Sequence, residues 1–369
     1  MKPTTGPDGT GDGKGGTASE SEEVNLAVFP FAVMAGDMEA TSSSAARAVF
    51  WTRCMAAGPL HLTVWDKETL EIVFEDVVEV ADAGFAHQDV TTLEPGVRYR
   101  YQFAVALSGD EAAFSTAGEV MMPPAPGSLP VVTFGAVSCT HQGGEAGFQA
   151  IGLAANLEID CFFHLGDHVY NDAREWLTTL DQFRDSWQEC FDLEYMRNFH
   201  AKHGLYFTWD DHEIINNWDW DWVDANPVFR DSVKFGTQTY FEHHPLRRNP
   251  TDANRLWRSV KWGDTAEFFV LDLRSERRED INRHMLSPAQ MKWLKDAIAK
   301  STAKFKIVMN PIPICTMPPE DAHLADRWEG FDRERTEILG WIRDQHIEGV
   351  WWISGDYHVG SVGQIDQYG

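Results

Sequence analysis

Beyond Pro130 the chain repeats one device, a short apolar run that ends abruptly in a polar cluster. Residues 131–137 run into Ser138-Cys139-Thr140-His141, and residues 161–165 into Gly166-Asp167-His168-Val169-Tyr170. Residues 205–209 run into Asp210-Asp211-His212-Glu213, with Asn216-Asn217 just beyond, and residues 350–354 into Gly355-Asp356-Tyr357-His358. Short apolar runs of this length, like those at 268–273 and 305–309, read as buried strands. Between them lie helical patterns: Ser287-Pro288 supplies an N-cap and a proline for a first turn, and residues 331–346 read as another helix. Such alternation demands layered sheets covered by helices, and those folds meet their ligands at the strand ends. The four clusters are therefore expected in one place.

Upstream the rhythm changes. Residues 46–51, 60–65, 70–74 and 97–103 alternate apolar and polar positions with turn residues between them, which predicts antiparallel strands in a small sandwich. Within it, Leu93-Glu94-Pro95-Gly96-Val97-Arg98-Tyr99 resembles the tyrosine-corner turn of fibronectin type III and immunoglobulin-like domains. Stacked prolines and a glycine at 121–130 read as a linker, and residues 1–24, rich in Gly, Ser, Thr and acids, as a disordered tail. The expected organisation is a tail (1–24), an all-β sandwich (25–120), a linker (121–130) and an α/β part (131–369).

Composition removes some functions. With 31 basic against 57 acidic residues the formal charge is −26, the wrong sign for a face that binds nucleic acid or anionic membrane. No apolar run is long enough to span a membrane, and the N-terminus shows no signal core. Five scattered cysteines form no disulfide scaffold, so at least one has no partner within the chain.

Each cluster alone has an ordinary explanation. A lone Gly-Asp is usually a turn, Cys139 alone a small core residue, and Asp210-Asp211-His212-Glu213 alone a capped helix start. Four in order, each closing an apolar run, point to a metal site built from Cys, Asp, Tyr, His and Asn. Their order resembles the calcineurin-like metallophosphoesterase superfamily, and the variants Ser-Cys, Gly-Asp-x-x-Tyr, Asp-Asp-His-Glu with trailing Asn-Asn, and Gly-Asp-x-His resemble the PhoD-like alkaline phosphatase family. The sandwich with Trp51-Thr52-Arg53 is similar to that family's N-terminal domain. The implied fold is a four-layer α/β/β/α metallophosphoesterase domain preceded by a small all-β immunoglobulin-like sandwich.

The resemblance also implies roles. Cys139 and Tyr170 would hold ferric iron (Fe3+) as thiolate and phenolate, beside oxygen-bound calcium (Ca2+) or another divalent cation. Asp167 would bridge, Asp211 or Asn217 would bind the second metal, and Asp356 and His358 would complete the sites. His212 would contact the phosphate or protonate the leaving oxygen. Arg274 and Arg277, which follow the apolar run 268–273, would grip the phosphate, or else form surface ion pairs with Asp272, Glu276 or Glu279. His168 and His141 are candidates for supporting the ligands; His243, His244 and His323 have no assigned role. The alternating Trp218-Asp219-Trp220-Asp221-Trp222 would flank the site's mouth or pack on the core. Asn310-Pro311-Ile312-Pro313 stands where the superfamily has an isolated histidine, so a different ligand set is required.

The expected activity is hydrolysis of phosphomonoesters or phosphodiesters by a metal-activated hydroxide. A phospholipid or other bulky diester is the alternative substrate, and a non-catalytic surface-binding protein the alternative class. The family resemblance implies export, while the lack of a signal core leaves a cytoplasmic location open. Oligomeric state is not legible. The chain stops eleven residues after His358, where the family usually runs on through further strands.

Overall fold

The computed structural model of the protein describes residues 23–108, 111–140, 147–172, 176–279, 283–317 and 326–366. The chain opens with β1 (Val33–Ala40), β2 (Ala46–Arg53), β3 (Leu60–Asp66), β4 (Ile72–Val78), β5 (Phe85–Leu93), β6 (Arg98–Ala106), β7 (Ala112–Phe114) and β8 (Gly118–Met121). It continues through β9 (Phe134–Val137), α1 (Gly147–Ala154), β10 (Cys161–Leu165), α2 (Leu180–Phe191), α3 (Glu194–Lys202), β11 (Gly204–Thr208), α4 (Trp220–Ala225) and α5 (Arg230–His243). The remaining elements are β12 (Arg258–Trp262), β13 (Ala266–Val270), α6 (Pro288–Lys300), β14 (Phe305–Met309), α7 (Asp332–Asp344) and β15 (Val350–Ile353). Among the described residues no helix is long and apolar enough to cross a membrane.

Apolar runs form strands wherever a partner is available. β10 and β14 cover the residues expected of them, whereas the run 131–137 pairs only from Phe134 onward. Its neighbour β10 starts at Cys161, opposite Phe134, so Val131 has no strand beside it and is 91% exposed. Ser287 caps α6 by accepting from Gln290 N, with Pro288 at the first helical position. The Tyr99 hydroxyl accepts from Glu94 N at 2.9 Å, closing the turn that precedes β6.

The all-β character of the N-terminal part is as expected, but its separateness needs correction. β3, β4, β6 and β7 form one sheet in the order β4-β3-β6-β7, with β8 also on β6. β5, β2 and β1 instead continue a six-stranded sheet, β5-β2-β1-β11-β10-β9. The join is parallel, with Ala35 opposite Gly204 and Gly36 opposite Leu205. The six-stranded sheet therefore draws strands from both sides of the 121–130 linker, because pairing between distant strands is decided by tertiary structure rather than by the local pattern. The linker itself is tied down, with Asp264 N donating to Ser128 O at 2.6 Å. The expected tail lies outside the described residues except for its last two, and Val24 forms a bridge with Phe114.

The second α/β sheet is β12-β13-β14-β15, parallel except for β12. Apolar side chains of all three sheets meet in one core, from Val33 and Phe50 through Leu62 and Phe103 to Phe163, Phe268 and Met309. α2, α3 and α5 cover the far side of the six-stranded sheet, and α6 and α7 the far side of the four-stranded one. Buried polar groups cross between the layers: Thr208 Oγ1 donates to Leu271 O at 2.6 Å and Trp209 Nε1 to Asp272 Oδ1 at 2.8 Å. These bonds tie together the two sheet ends that carry the polar clusters.

One staple holds the joined sheet in place. β1 is irregular between Gly36 and Glu39, and Asp37 there has φ +47° and is 4% exposed. Its carboxylate accepts from Arg258 Nε at 2.9 Å, Arg258 Nη2 at 2.6 Å and Arg247 N at 2.7 Å. Asp37→Ala should lower the unfolding free energy by about 2–4 kcal/mol in urea titrations, because it strands the guanidinium of Arg258 without its carboxylate.

Candidate metal centre

The four polar clusters lie at the C-terminal ends of β9, β10, β11 and β15, two sheets contributing to one place. The loops interlock through the backbone: Cys139 N donates to Gly166 O, Thr140 N to Asp167 O, Asn171 N to His212 O and Gly355 N to Pro311 O. Two glycines allow the close approach. A Cβ on Gly166, whose φ is +101°, would lie 2.3 Å from Asp210 N, and one on Gly355 would lie 2.4 Å from Ser138 Oγ. Cys139, Asp167, Asn217, Asp356 and His358 all adopt positive φ between +53° and +64°, half of the non-glycine residues that do so among those described. Left-handed backbone is unfavourable for such residues and persists where the surroundings enforce it, typically at functional sites.

Cys139, Asp167 and His358 each bring a ligand atom within 4.8 Å of one another, as do Asp167, Asp211 and His212. Asp167 belongs to both groups. The Tyr170 hydroxyl lies 3.3 Å from Asp167 Oδ2 and 3.2 Å from His358 Nε2, and Cys139 Sγ lies 3.6 Å from Asp167 Oδ2. The Asn217 carboxamide abuts Asp211 and Asp326. With its NH2 turned to them it donates at 2.9 and 3.2 Å; with its oxygen turned to them it adds another acceptor, as a cation between them would favour. Asp211 and Asn217, alternatives in the sequence, therefore stand side by side.

Charge at the centre is one-sided. Burial, then the charges of Asp211, Asp210 and Glu213, hold the Asp167 carboxyl well above the usual range. Burial pushes Asp210 up to about 6 despite Arg274, Glu213 up to about 7, and Asp356 up to about 8 with help from Asp210 and Asp326. Cys139 is pushed up to about 11, chiefly by burial, and Tyr170 far above its ordinary value by burial and the charge of Asp167. Among the described residues, Asp210 Oδ2 is buried without a hydrogen-bond partner. An orphaned carboxylate oxygen, a thiol, a phenol and carboxyls that resist ionising together fit a multivalent cation, which favours the charged form of every one.

His212 goes the other way. Burial disfavours its charged form, yet the hydrogen bond to Asp172 and the charges of Asp211, Asp172 and Asp210 push it up to about 9. Its Nδ1 is 2.7 Å from Asp172 Oδ1, and its ring stacks on Tyr170 with centroids 4.1 Å apart. Asp172 escaped the sequence reading, although it stands two residues after Tyr170 in the same loop. Glu213 braces two loops, accepting from His168 N at 2.7 Å and Asp210 N at 3.0 Å.

The structure keeps one of the ion pairs expected for Arg274 and Arg277, that of Arg277 with Glu279, but sets both guanidiniums deeper than expected. Both are fully buried rather than at the surface or open to a phosphate. Arg274 Nε donates to Asp210 at 2.6 Å, its Nη1 donates to Asp326, and its Nη2 lies 3.6 Å from Asp211. Arg277 Nη1 donates to Asp326 at 2.8 Å, while its Nη2 donates to Asn217 O at 3.3 Å and Glu279 at 3.1 Å. A guanidinium is kept inside by the carboxylates that compensate it, so both forks are committed to protein anions. Asp326, their shared partner, has no apolar run before it and gave no sequence signal.

The remaining candidates are structural. His168 is buried with its ring against His164, and its Nδ1 is 3.1 Å from His244 Nε2; His243 and His244 close α5 inside the helical layer. Trp218 is 1% exposed, Asp219 caps α4, Trp220 Nε1 donates to Ser275 O, and Trp222 stacks on Phe229, so this stretch packs on its neighbours. Asn310 is buried between Trp328 Nε1 and the carbonyl of Ile312. His141 and His323 lie outside the described residues.

The sign of the pH dependence follows. Carboxyls with raised folded values hold protons in the metal-free protein that the unfolded chain has released, from about pH 4 up to their folded values. Their stabilising contribution is lost as pH rises through that window, and a cation restores it. The rise in melting temperature on adding excess calcium to metal-free protein should therefore be larger near pH 8 than near pH 5 by scanning calorimetry. Equal increments would remove these carboxyls from the cation's surroundings.

Comparison with known proteins agrees with the geometry. A profile of PhoD-like phosphatases matches residues 134–368, more than half of the chain. Alkaline phosphatase D of Bacillus subtilis (strain 168) is 27% identical over 396 aligned positions, covering 91% of this chain and 65% of its own length. The chain thus spans slightly less than two thirds of that curated relative. A solved structure of PhoD superposes with a TM-score of 0.78 at 24% identity, covering 92% of this chain and 73% of that one. A purple acid phosphatase from yellow lupin (Lupinus luteus) seeds shares the fold at a TM-score of 0.52 and 12% identity, over 78% of this chain and 52% of its own. Strand-end clusters, layered sheets and family profile coincide over the same residues, and the chain belongs to the PhoD-like phosphatase family.

Proposed function

We propose that the protein is a metal-dependent phosphoesterase that hydrolyses phosphomonoesters or phosphodiesters at this centre. The observation that carries the reading is the convergence of Cys139, Asp167 and His358 with Asp211 and His212, with Asp167 common to both groups. Cys139, Tyr170, Asp167 and His358 suit ferric iron, and Asp211, Asn217 and Asp356 a calcium-like cation. When bound, such cations supply positive charge that polarises phosphoryl oxygens and acidifies water.

The chain's own groups supply the rest. His212, held at about 9, is an imidazolium at neutral pH. Asp172 takes the Nδ1 proton in its hydrogen bond, which leaves Nε2 to deliver a proton to the departing ester oxygen. Arg274 keeps Asp210 and Asp211 in place from behind, and Arg277 holds the backbone of Asn217. The strand order supports an immunoglobulin-like origin for the N-terminal strands, with β5-β2-β1 facing β4-β3-β6-β7.

Asp167→Ala should retain its circular dichroism while losing bound iron and calcium by elemental analysis, together with hydrolysis of an aryl phosphate. Full hydrolysis by a metal-free Asp167→Ala protein would sink the proposal. His212→Ala should slow hydrolysis about 10²–10⁴-fold for an alkyl phosphate and less for a nitrophenyl phosphate, whose leaving oxygen needs no proton. An equal loss for both would take the proton-donor role from His212. Turnover of mono- and diesters that share one leaving group then assigns the substrate class, bulky phospholipid diesters included.

A further inference from the structure

Among the described residues, the buried guanidinium of Arg327 is compensated only by one long ion pair. The residue is 3% exposed, and none of its three guanidinium nitrogens has a hydrogen-bond partner among the described residues. Glu329 Oε1 lies 3.4 Å from its Nη2, but that oxygen already accepts from Met317 N at 2.9 Å. Arg274 and Arg277, equally buried, bond to carboxylates instead. One long ion pair compensates a buried guanidinium only in part, so a second favourable contact matters to its position.

The group it does face is aromatic. Arg327 Cζ lies 5.1 Å from the centroid of the Tyr357 ring, a cation–π contact of the kind that strengthens when water is excluded. Tyr357 stands between Asp356 (φ +64°) and His358 (φ +53°). Two left-handed non-glycine residues within three positions form a turn that local preferences oppose. Gly355 N anchors its start by donating to Pro311 O at 2.8 Å, and beyond His358 the described chain has no regular structure. The ring of Tyr357 is the handle by which the body of the protein can grip the middle of this turn.

We propose that Arg327 is a positioning residue of the metal centre: it clamps the Tyr357 ring and so keeps Asp356 and His358 in the backbone that brings His358 to Cys139 and Asp167. The proposal rests on the reading of that cluster as a metal site. It assigns work to a residue outside every strand-end motif, 31 positions before His358.

Calcium titration calorimetry on chelator-stripped full-length protein tests it, with wild type, Arg327→Met, Arg327→Lys, Tyr357→Leu and the Arg327→Met/Tyr357→Leu double variant. Arg327→Met should weaken calcium about tenfold, a loss typical of groups that support metal ligands, and Arg327→Lys should lose less. Tyr357→Leu should match Arg327→Met, and the double variant should be no worse than either single one, because one residue acts through the other. Should Arg327→Met fail to fold, Arg327→Lys carries the same comparison. Wild type that takes up neither calcium nor iron overturns the metal-site reading itself. If wild type binds and Arg327→Met binds within twofold, only the positioning role falls. Additive losses in the double variant, or weaker inhibition by inorganic phosphate with calcium affinity unchanged, overturn it as well.

Discussion

Everything at the centre answers to one constraint, an excess of buried negative charge. Asp167, Asp210, Asp211, Glu213, Asp326 and Asp356 gather around two buried arginines, of which Arg274 pairs with Asp210, Asp211 and Asp326 and Arg277 with Asp326. The carboxylates also brace the loops: Glu213 accepts from the backbone of His168 and Asp210, and Asp211 from that of His212 and Asn217. Removing the acids to relieve the repulsion would untie the loops that present the ligands. Carboxyls packed this closely repel one another, so the folded centre favours added positive charge.

This explains which residues were legible in the sequence. Cys139, Asp167, His212, Asp356 and His358 could be read because each closes an apolar run, and the end of a run marks the end of a strand. Arg274 and Arg277 were seen but misplaced, since sequence records a charge without recording its depth. Asp326 and Arg327 were invisible: they follow no strand and reach the centre from the turn before α7. The alternative between Asp211 and Asn217 could not be settled on sequence because both residues are present together, 2.6 Å apart from Asn217 N to Asp211 Oδ2.

The fold was legible to a similar depth. β10 was readable to the residue because a buried parallel strand is apolar on both faces, and β14 because its buried half, Ile307 to Met309, is. The capping box of α2, Thr179 with Gln182, was available and went unread among aromatic residues that blur the helical period. β1 was not recognised at all. Its sequence, Val33-Met34-Ala35-Gly36-Asp37-Met38-Glu39-Ala40, lacks a clean alternation because the strand has helices on one side, a sheet on the other and an irregularity at Asp37.

The pairing of β1 with β11 has a kinetic side. Ala35 meets Gly204 about 170 residues later, so the middle of the six-stranded sheet is among its last seams to close. During synthesis β1 and β2 emerge early and can form their antiparallel pair at once, leaving the other edge of β1 open until β11 has been made. An unpaired edge is a template for the wrong chain, and the time it stays open grows with the length of the wait. Vectorial synthesis lets β1 pair with β2 and pack near β8 before β11 exists, whereas a chain diluted from denaturant exposes every edge simultaneously. The strand that joins the two halves of this molecule is thus also the place where its assembly is most easily diverted.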